Sequence, residues 1–433
     1  MVAVRPFRGL RFNEPKSGHA AGLLAPPYDV VSSEERSALV RRGAYNVIQV
    51  ELPVGGDERY AQAAALLASW RRDGILTQEA SPAFYLLEER FTLDGQERRR
   101  LGLLATVVVE PWSTGAVLPH ERTLPGPKVD RLRLLQATRT NVSPIFLMYD
   151  DPARHISALL SQVTAQEPAI IVQLQPGEIL HAAAMHRLWV ITEPALVAAI
   201  IGAFVHSQAY MADGHHRYET ALAYRQEQRA AHPDQPDGPW DAALMFLVDV
   251  DDPGLAVLPI HRVLHNLDGE RLTRLPEALQ ALYRLEPVAP DLPIARLTRL
   301  QRDAGAGAMV LVGPGQHVML AIPRGQPADR LPSDRSQAWR DLDVNALHDL
   351  VLRPLLGLGE AGIRSERFVT YTRDAGAAFG AVRSGEAQLA FLLNPTRPEQ
   401  VCAVARAHDR MPQKSTFYYP KPLTGLVLYP HDR

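Results

Sequence analysis

Residues 208–232 constrain the fold of this chain more than any other stretch. Gln208 to Ala212 is short and apolar enough for a strand, Asp213 and Gly214 supply a turn, and about Tyr218 to His232 reads as a long polar helix. The strand needs sheet neighbours and the helix needs a surface to pack on, so the segment calls for a mixed α/β arrangement. Gly214 frees the backbone for the turn. The first amides of a helix have no acceptor within it, and the helix dipole adds positive potential, which makes the junction a ready anion site. His215, His216 and Arg217 add side-chain donors there, and a guanidinium can grip two phosphate oxygens at once. Phosphate is the ligand these residues suit. Three other readings compete. Asp213 can cap the helix. His215 and His216 can ligate metal, although adjacent side chains diverge where helical ligand pairs stand three or four residues apart. A purely structural turn would crowd two histidines against an arginine, which repel when protonated.

The rest of the chain reads as a mixture of helices and strands. Ser32 to Glu35 has the pattern of a helix start, residues 45–51 alternate as a strand does, and Tyr60 to Asp73 is helical. Asp94-Gly95 joins two strands, Pro82 to Phe91 and Arg98 to Glu110, in a hairpin. An arginine-rich helix over Asp130 to Thr140 precedes a buried strand, Pro144 to Tyr149. A helix over Ala195 to His206 follows, and Asp241 to Val250 and Gly254 to Pro259 form strands about a tight turn. Further on, Asp268 to Leu285, Pro293 to Ala304 and Val344 to Leu356 read as helices, and Ala308 to Val312 pairs with His317 to Ile322. We place a boundary near residue 265, giving regions 1–265 and 266–433.

A chain of 433 residues that is 46% hydrophobic can bury substantial cores, and a formal charge of −2 gives no basis for non-specific nucleic-acid binding. The longest apolar stretch, Ala195 to Val205, is shorter than a membrane span, and Met1 to Leu10 carries no apolar run. A membrane partner is therefore not expected, and the one cysteine, Cys402, fits a small core residue in a cytoplasmic protein. Positive charge is carried almost wholly by arginine. Lys16, Lys128, Lys414 and Lys421 are the four lysines among 46 lysines and arginines, and three of them fall in segments with other reactive groups.

One such segment is His120-Glu121-Arg122-Thr123. Glu121 suits a general base or a magnesium ligand, and His120 can do either job or bind phosphate. Lys128 and Arg139 can neutralise a transferring phosphoryl group. A solvated loop with local ion pairs is the alternative. Asp29, in the stiff Pro26-Pro27-Tyr28-Asp29 loop, and Glu51 are further candidates for a magnesium or catalytic carboxylate, with ordinary turn and strand-end roles beside them. His261-Arg262 can complete a phosphate pocket or be structural. Lys414 and Thr416, with Lys421 and the aromatics Phe417 to Tyr419, can serve as phosphate donors and a stacking face, or simply pack the carboxyl-terminal strand.

The segment Ala212 to Ala221 resembles the phosphate-binding motif of the ParB/sulfiredoxin-like superfamily, which includes CTP-hydrolysing partition proteins, sulfiredoxins and free-serine kinases. Over nearly its full length the chain also resembles the DUF1015 family, soluble bacterial and archaeal proteins of largely unassigned function. That second resemblance runs from Arg5-Pro6-Phe7 and Ala25 to Val30, through Pro119 to Thr123 and the histidine turn, to Met411 through Lys421. The resemblance implies an α+β fold with a ParB/sulfiredoxin-like nucleotide-binding core in 1–265 and an added α/β region that can close over the site.

His215 stands where sulfiredoxins carry their catalytic cysteine, so that chemistry is not expected, and no helix-turn-helix like that of partition proteins is visible. The serine-kinase branch implies ATP or ADP with Mg2+ and transfer of a phosphoryl group to a small hydroxylated metabolite such as serine, or the reverse reaction on a phosphorylated one. Asp213, Gly214, His215, His216 and Arg217 would hold the phosphates, Glu121 or Asp29 would activate the alcohol, and Glu121 or Asp213 would hold the metal. A nucleotide-sensing protein without catalysis, and a metal-dependent hydrolase using His120, His215 and His216, are the other two functions that the sequence leaves open.

Overall fold

The computed structural model describes residues 2–121, 125–179, 181–235 and 237–432. Arg122 and Thr123 of the ionisable loop lie outside the described residues. The chain is a mixed α+β protein that divides into two compact units. The first comprises residues 1–119, 123–256 and 418–433, and the second residues 120–122 and 257–417.

The first unit is built on a nine-stranded sheet. Its strands are β1 (Val4–Arg5), β2 (Phe84–Leu93), β3 (Gln96–Val108), β4 (Val117–Leu118), β5 (Ile145–Tyr149), β6 (Ile170–Gln173), β7 (Met185–Ile191), β8 (Ala209–Asp213) and β9 (Ala242–Asp249). They lie in the order β4-β8-β5-β9-β3-β2-β7-β6, with β1 on β3. The pairs β4/β8 and β5/β9 are parallel and the others antiparallel. Every residue of β5 and β9 is buried, as central strands covered on both faces require. Ile156, Leu160, Ile200 and Phe204, from the helices His155–Val163 and Pro194–Phe204, pack into the same core as Leu147, Met211 and Met245 of the sheet. The expected hairpin is present. Asp94 and Gly95 both adopt positive φ, at 52° and 76°, the conformation that suits the twist of a two-residue turn.

A second, largely helical core joins α1 (Ser33–Arg42), α2 (Ile48–Glu51), α3 (Arg59–Arg72) and α4 (Pro125–Thr138) through residues such as Leu39, Ile48, Leu67, Trp70 and Leu134. The helix start read at Ser32 is a capping box. Ser32 Oγ accepts from Glu35 N at 3.2 Å, and Glu35 Oε2 accepts from Ser32 N at 2.7 Å. Ser32→Ala is expected to lower stability by about 1 kcal/mol, seen as a lower urea midpoint with an unchanged slope.

Residues 45–51 are not the expected strand. Asn46 folds this stretch into a helical turn by accepting from Ile48 N at 3.0 Å through Oδ1, while Nδ2 donates to Gly22 O and Leu24 O. Val47, Ile48 and Val50 are all buried, so the apparent alternation was not a two-faced pattern.

The second unit carries a six-stranded antiparallel sheet of β10 (His261–Leu264), β11 (Tyr283–Val288), β12 (Met309–Val312), β13 (Val318–Pro323), β14 (Val369–Thr372) and β15 (Leu389–Leu392), in the order β11-β13-β12-β15-β10-β14. The helix expected to run to Leu285 ends at Gln280. Pairing with β13 draws Tyr283–Val288 into the sheet, a long-range demand that overrides the local apolar run. Cys402 is buried on the helix Pro398–Arg406, as read. No helix among the described residues is long and apolar enough to cross a membrane.

Candidate functional site

Strand β8 ends at Asp213, Gly214 turns the chain with φ of 94°, and helix α5 (His215–Ala231) begins at once. The histidines therefore lie in the first helical turn, three residues earlier than the sequence reading put the helix. The first bond of the ladder runs from Tyr218 N to Gly214 O at 3.0 Å, so the amides of residues 215–217 precede it. A β-carbon at position 214 would approach Arg217 Nε to 2.9 Å, because that side chain folds back over the turn.

Asp213 does not cap the helix. Gly214 occupies the capping position, and no side chain serves there. The Asp213 carboxylate meets cations instead. Its Oδ2 accepts from Lys421 Nζ at 3.0 Å and from Arg217 Nη2 at 3.4 Å. Burial opposes the charge on Asp213, but Lys421, Arg217 and then His215 outweigh it, holding this carboxyl far below the usual carboxylate range. Such a carboxylate is a poor proton acceptor and an unfavourable ligand for a second cation. Arg217 also donates to Pro144 O. Burial works against its charge, and Asp213, Asp29, Tyr28 and Glu51 more than restore it.

Those last three residues and Arg131 complete the surroundings. Arg131 stacks over the Tyr28 ring, 4.2 Å from its centroid, and donates to Glu51 O at 2.6 Å. Glu51 is buried and accepts from Ser143 Oγ at 2.8 Å, yet desolvation outweighs Arg131 and Ser143 and raises its pKa. A cavity of about 50 Å3 lies among Glu51, Arg131, Ser143, Arg217 and Thr220. Asp29 is exposed, within electrostatic reach of Arg217. The helix start is held from the other side. Trp112 stacks on Tyr218 with ring centroids 4.2 Å apart and donates to Glu219 Oε1 at 3.3 Å.

Lys128 forms an ion pair with Glu219. Arg139 ends α4 in the left-handed region, exposed, and acts electrostatically on Tyr224. Tyr224 stands nine residues into α5, about 13 Å along its axis from the turn.

The remaining candidates belong to the second unit. His120 is buried, with Nε2 3.2 Å from Thr416 Oγ1, and its carbonyl accepts from Met411 N at 2.7 Å. Glu121 bridges in parallel to Met411 and acts electrostatically on Arg262, whose Nη2 donates to Lys414 O at 3.1 Å. The Lys414 side chain is exposed. His261 is structural: its Nδ1 accepts from Leu393 N at 3.2 Å, and burial with the neighbouring Arg262 lowers its pKa to about 4. His120, Glu121, Lys414 and Thr416 thus belong to the second unit, and Asp29, Lys128, Arg139 and the histidine turn to the first. Among the described residues no group of three or more His, Cys, Asp or Glu side chains is placed to hold a metal ion.

Fold and site together define a mixed α+β protein with a charged, glycine-centred turn at a strand–helix junction. The family model described as "Protein of unknown function (DUF1015)" matches residues 4–345, and the chain belongs to that family. No curated protein matches it. Solved structures similar to it include a conserved hypothetical protein from Pyrococcus furiosus, at 12% identity over 70% of this chain and 88% of that one, with a TM-score of 0.33. A free serine kinase in complex with AMP is similar at 13% identity over 72% and 88%, TM-score 0.33. SbnI with C-terminal truncation from Staphylococcus aureus is similar at 11% identity over 72% and 82%, TM-score 0.33. At these values the likenesses carry no argument about activity.

Proposed function

We propose that the histidine turn is a ParB/sulfiredoxin-like phosphate cradle for ATP or ADP. On this reading the protein is a phosphotransferase that moves a phosphoryl group to a small hydroxylated metabolite, serine-kinase-like, or runs the reverse phosphoester reaction. The observation that carries the reading is the meeting, at one strand–helix junction, of first-turn amides, two histidines, Arg217 and Lys421. The amides and histidines contact the phosphate oxygens. Lys421 and Arg217 fix Asp213 and keep the turn preorganised, so little reorganisation is needed as charge develops on the transferred group.

Asp213 is then a positioning residue. The activating carboxylate is Asp29, which the turn's cations do not neutralise by direct contact and which faces solvent, where an alcohol can approach. Magnesium would enter with the nucleotide. The two cations on Asp213 do not suit it as a ligand, so the nucleotide's own phosphates would hold the ion, which would neutralise their charge.

The test uses the full chain. ATP or ADP is expected to raise the thermal midpoint, and Arg217→Lys, which keeps the charge but loses the fork, is expected to weaken nucleotide affinity about tenfold. Asp29→Asn should retain nucleotide binding and lose transfer of labelled γ-phosphate to a panel of small alcohols that includes serine. Wild-type protein that binds none of ATP, ADP or AMP, with or without magnesium, sinks the reading. Binding with neither transfer nor release would leave a nucleotide sensor in its place.

A further inference from the structure

The second unit holds a cavity of about 350 Å3, a size that suits a small metabolite. Among the described residues lining it, charge comes from Arg262, Arg302 and Arg397 against a single carboxylate, Asp343. The wall therefore carries an excess of positive charge. Arg397 also occupies the N-cap position of the helix Pro398–Arg406, so the positive end of that helix dipole adds to the same region.

Arg262 supplies a separate indication. It is 1% exposed, Nη1 donates to Ile260 O, and Nη2 donates to Lys414 O. Its Nε, also buried, meets no hydrogen-bond acceptor among the described residues. Burial lowers its pKa to about 10, against the opposing pull of Tyr371 and Glu121. A buried guanidinium with a donor left over is costly unless an anion completes it. The hydroxyls of Thr396 and Ser415 donate to Ser415 O and Pro412 O, which leaves recognition of an anion to the guanidinium groups.

We infer that this cavity binds a phosphate monoester of a small metabolite, at a site that does not use the histidine turn. Three guanidinium groups and one carboxylate line the cavity, a balance that suits a dianion better than a monoanion, and the guanidinium forks suit phosphate oxygens. Asp343 accepts from Gly307 N at 2.8 Å and Asn394 Nδ2 at 3.3 Å, and its carboxyl can also accept from a hydroxyl or ammonium on the rest of the ligand.

Calorimetric titration of the full chain with inorganic phosphate and glycerol 3-phosphate tests this, with malate as the carboxylate control. Arg302 and Arg397 are exposed, so the Arg302→Ala/Arg397→Ala variant is expected to fold with an unchanged thermal midpoint. It should bind glycerol 3-phosphate about tenfold more weakly or worse, while ADP binding stays as in wild type. Arg217→Lys should leave the glycerol 3-phosphate affinity intact. The inference is overturned if wild type binds neither phosphate probe, if malate binds as well as glycerol 3-phosphate, if the double variant binds as wild type does, or if Arg217→Lys removes the binding.

Discussion

Arg100→Ala is expected to destabilise the protein by about 3–5 kcal/mol, because it strands a carboxylate in the interior of the first unit. Arg100 and Glu89 are both 0% exposed, with Arg100 Nε 2.7 Å from Glu89 Oε2. Arg100 also donates to Pro420 O at 2.8 Å and lies over the rings of Phe146 and Phe246. Even with this partner, desolvation raises the Glu89 pKa. Without it the shift grows, so the folded state holds the Glu89 proton to higher pH than the unfolded chain does. A raised folded pKa gives stability below the unfolded value, about pH 4, that is lost as pH rises through the folded one. The cost of Arg100→Ala should therefore be larger at pH 8 than at pH 5. In the wild type His186, 3.7 Å from Glu89, does not share in neutralising it, since burial and then Arg100 lower the His186 pKa to about 3. Replacing both members, Arg100→Met with Glu89→Leu, should recover most of the loss. Urea denaturation at the two pH values checks this; a cost under about 1 kcal/mol at both would mean that the pair is not buried as described.

Neither the burial of that pair nor its partners could be read from Arg98-Arg99-Arg100, which looks like the polar end of a hairpin. What was legible is what the chain decides locally. Asp94-Gly95 takes positive φ in any hairpin, Ser32 and Glu35 cap each other across one turn, and Gly214 breaks strand from helix by its own backbone freedom. What was not legible depends on distant partners. Asn46 turned an alternating stretch into a helix by binding the carbonyls of residues 22 and 24, and β13 drew residues 283–285 out of an expected helix. The site shows the same division. The turn can be found from its residues, but a capping role for Asp213 follows only from its neighbours in sequence, whereas Lys421, which engages it, stands 208 positions away. The scarcity of lysine marked Lys421 as unusual without saying what it touches. Arg131 gave no signal, being one guanidinium in an arginine-rich helix.

That long-range contact makes Lys421→Met the second large effect. Lys421 is 4% exposed, and its ammonium is the strongest influence opposing the burial that would otherwise neutralise Asp213. Removing it leaves Asp213 with Arg217, which Pro144 O also engages. The backbone bond from Lys421 N to His181 O is untouched by the substitution. Breaking one side of this pair, in which Lys421 is buried and the Asp213 side chain is 21% exposed, should cost about 2 kcal/mol near neutral pH, less than a fully buried pair would. Its pH dependence is opposite to that of Arg100→Ala. A depressed folded pKa gives stability that is present above the unfolded value, about pH 4, and lost as pH falls through the folded one. Wild type and variant should therefore differ most near pH 7 and converge below pH 4, as Asp213 gains its proton. Asp213→Asn should be costly as well, and the double variant should cost less than the two single changes together, because each single change leaves the other charge without its partner. Additive costs, or a gap that does not narrow in acid, would show that Lys421 stabilises the turn by packing alone and that Asp213 owes its charge to Arg217.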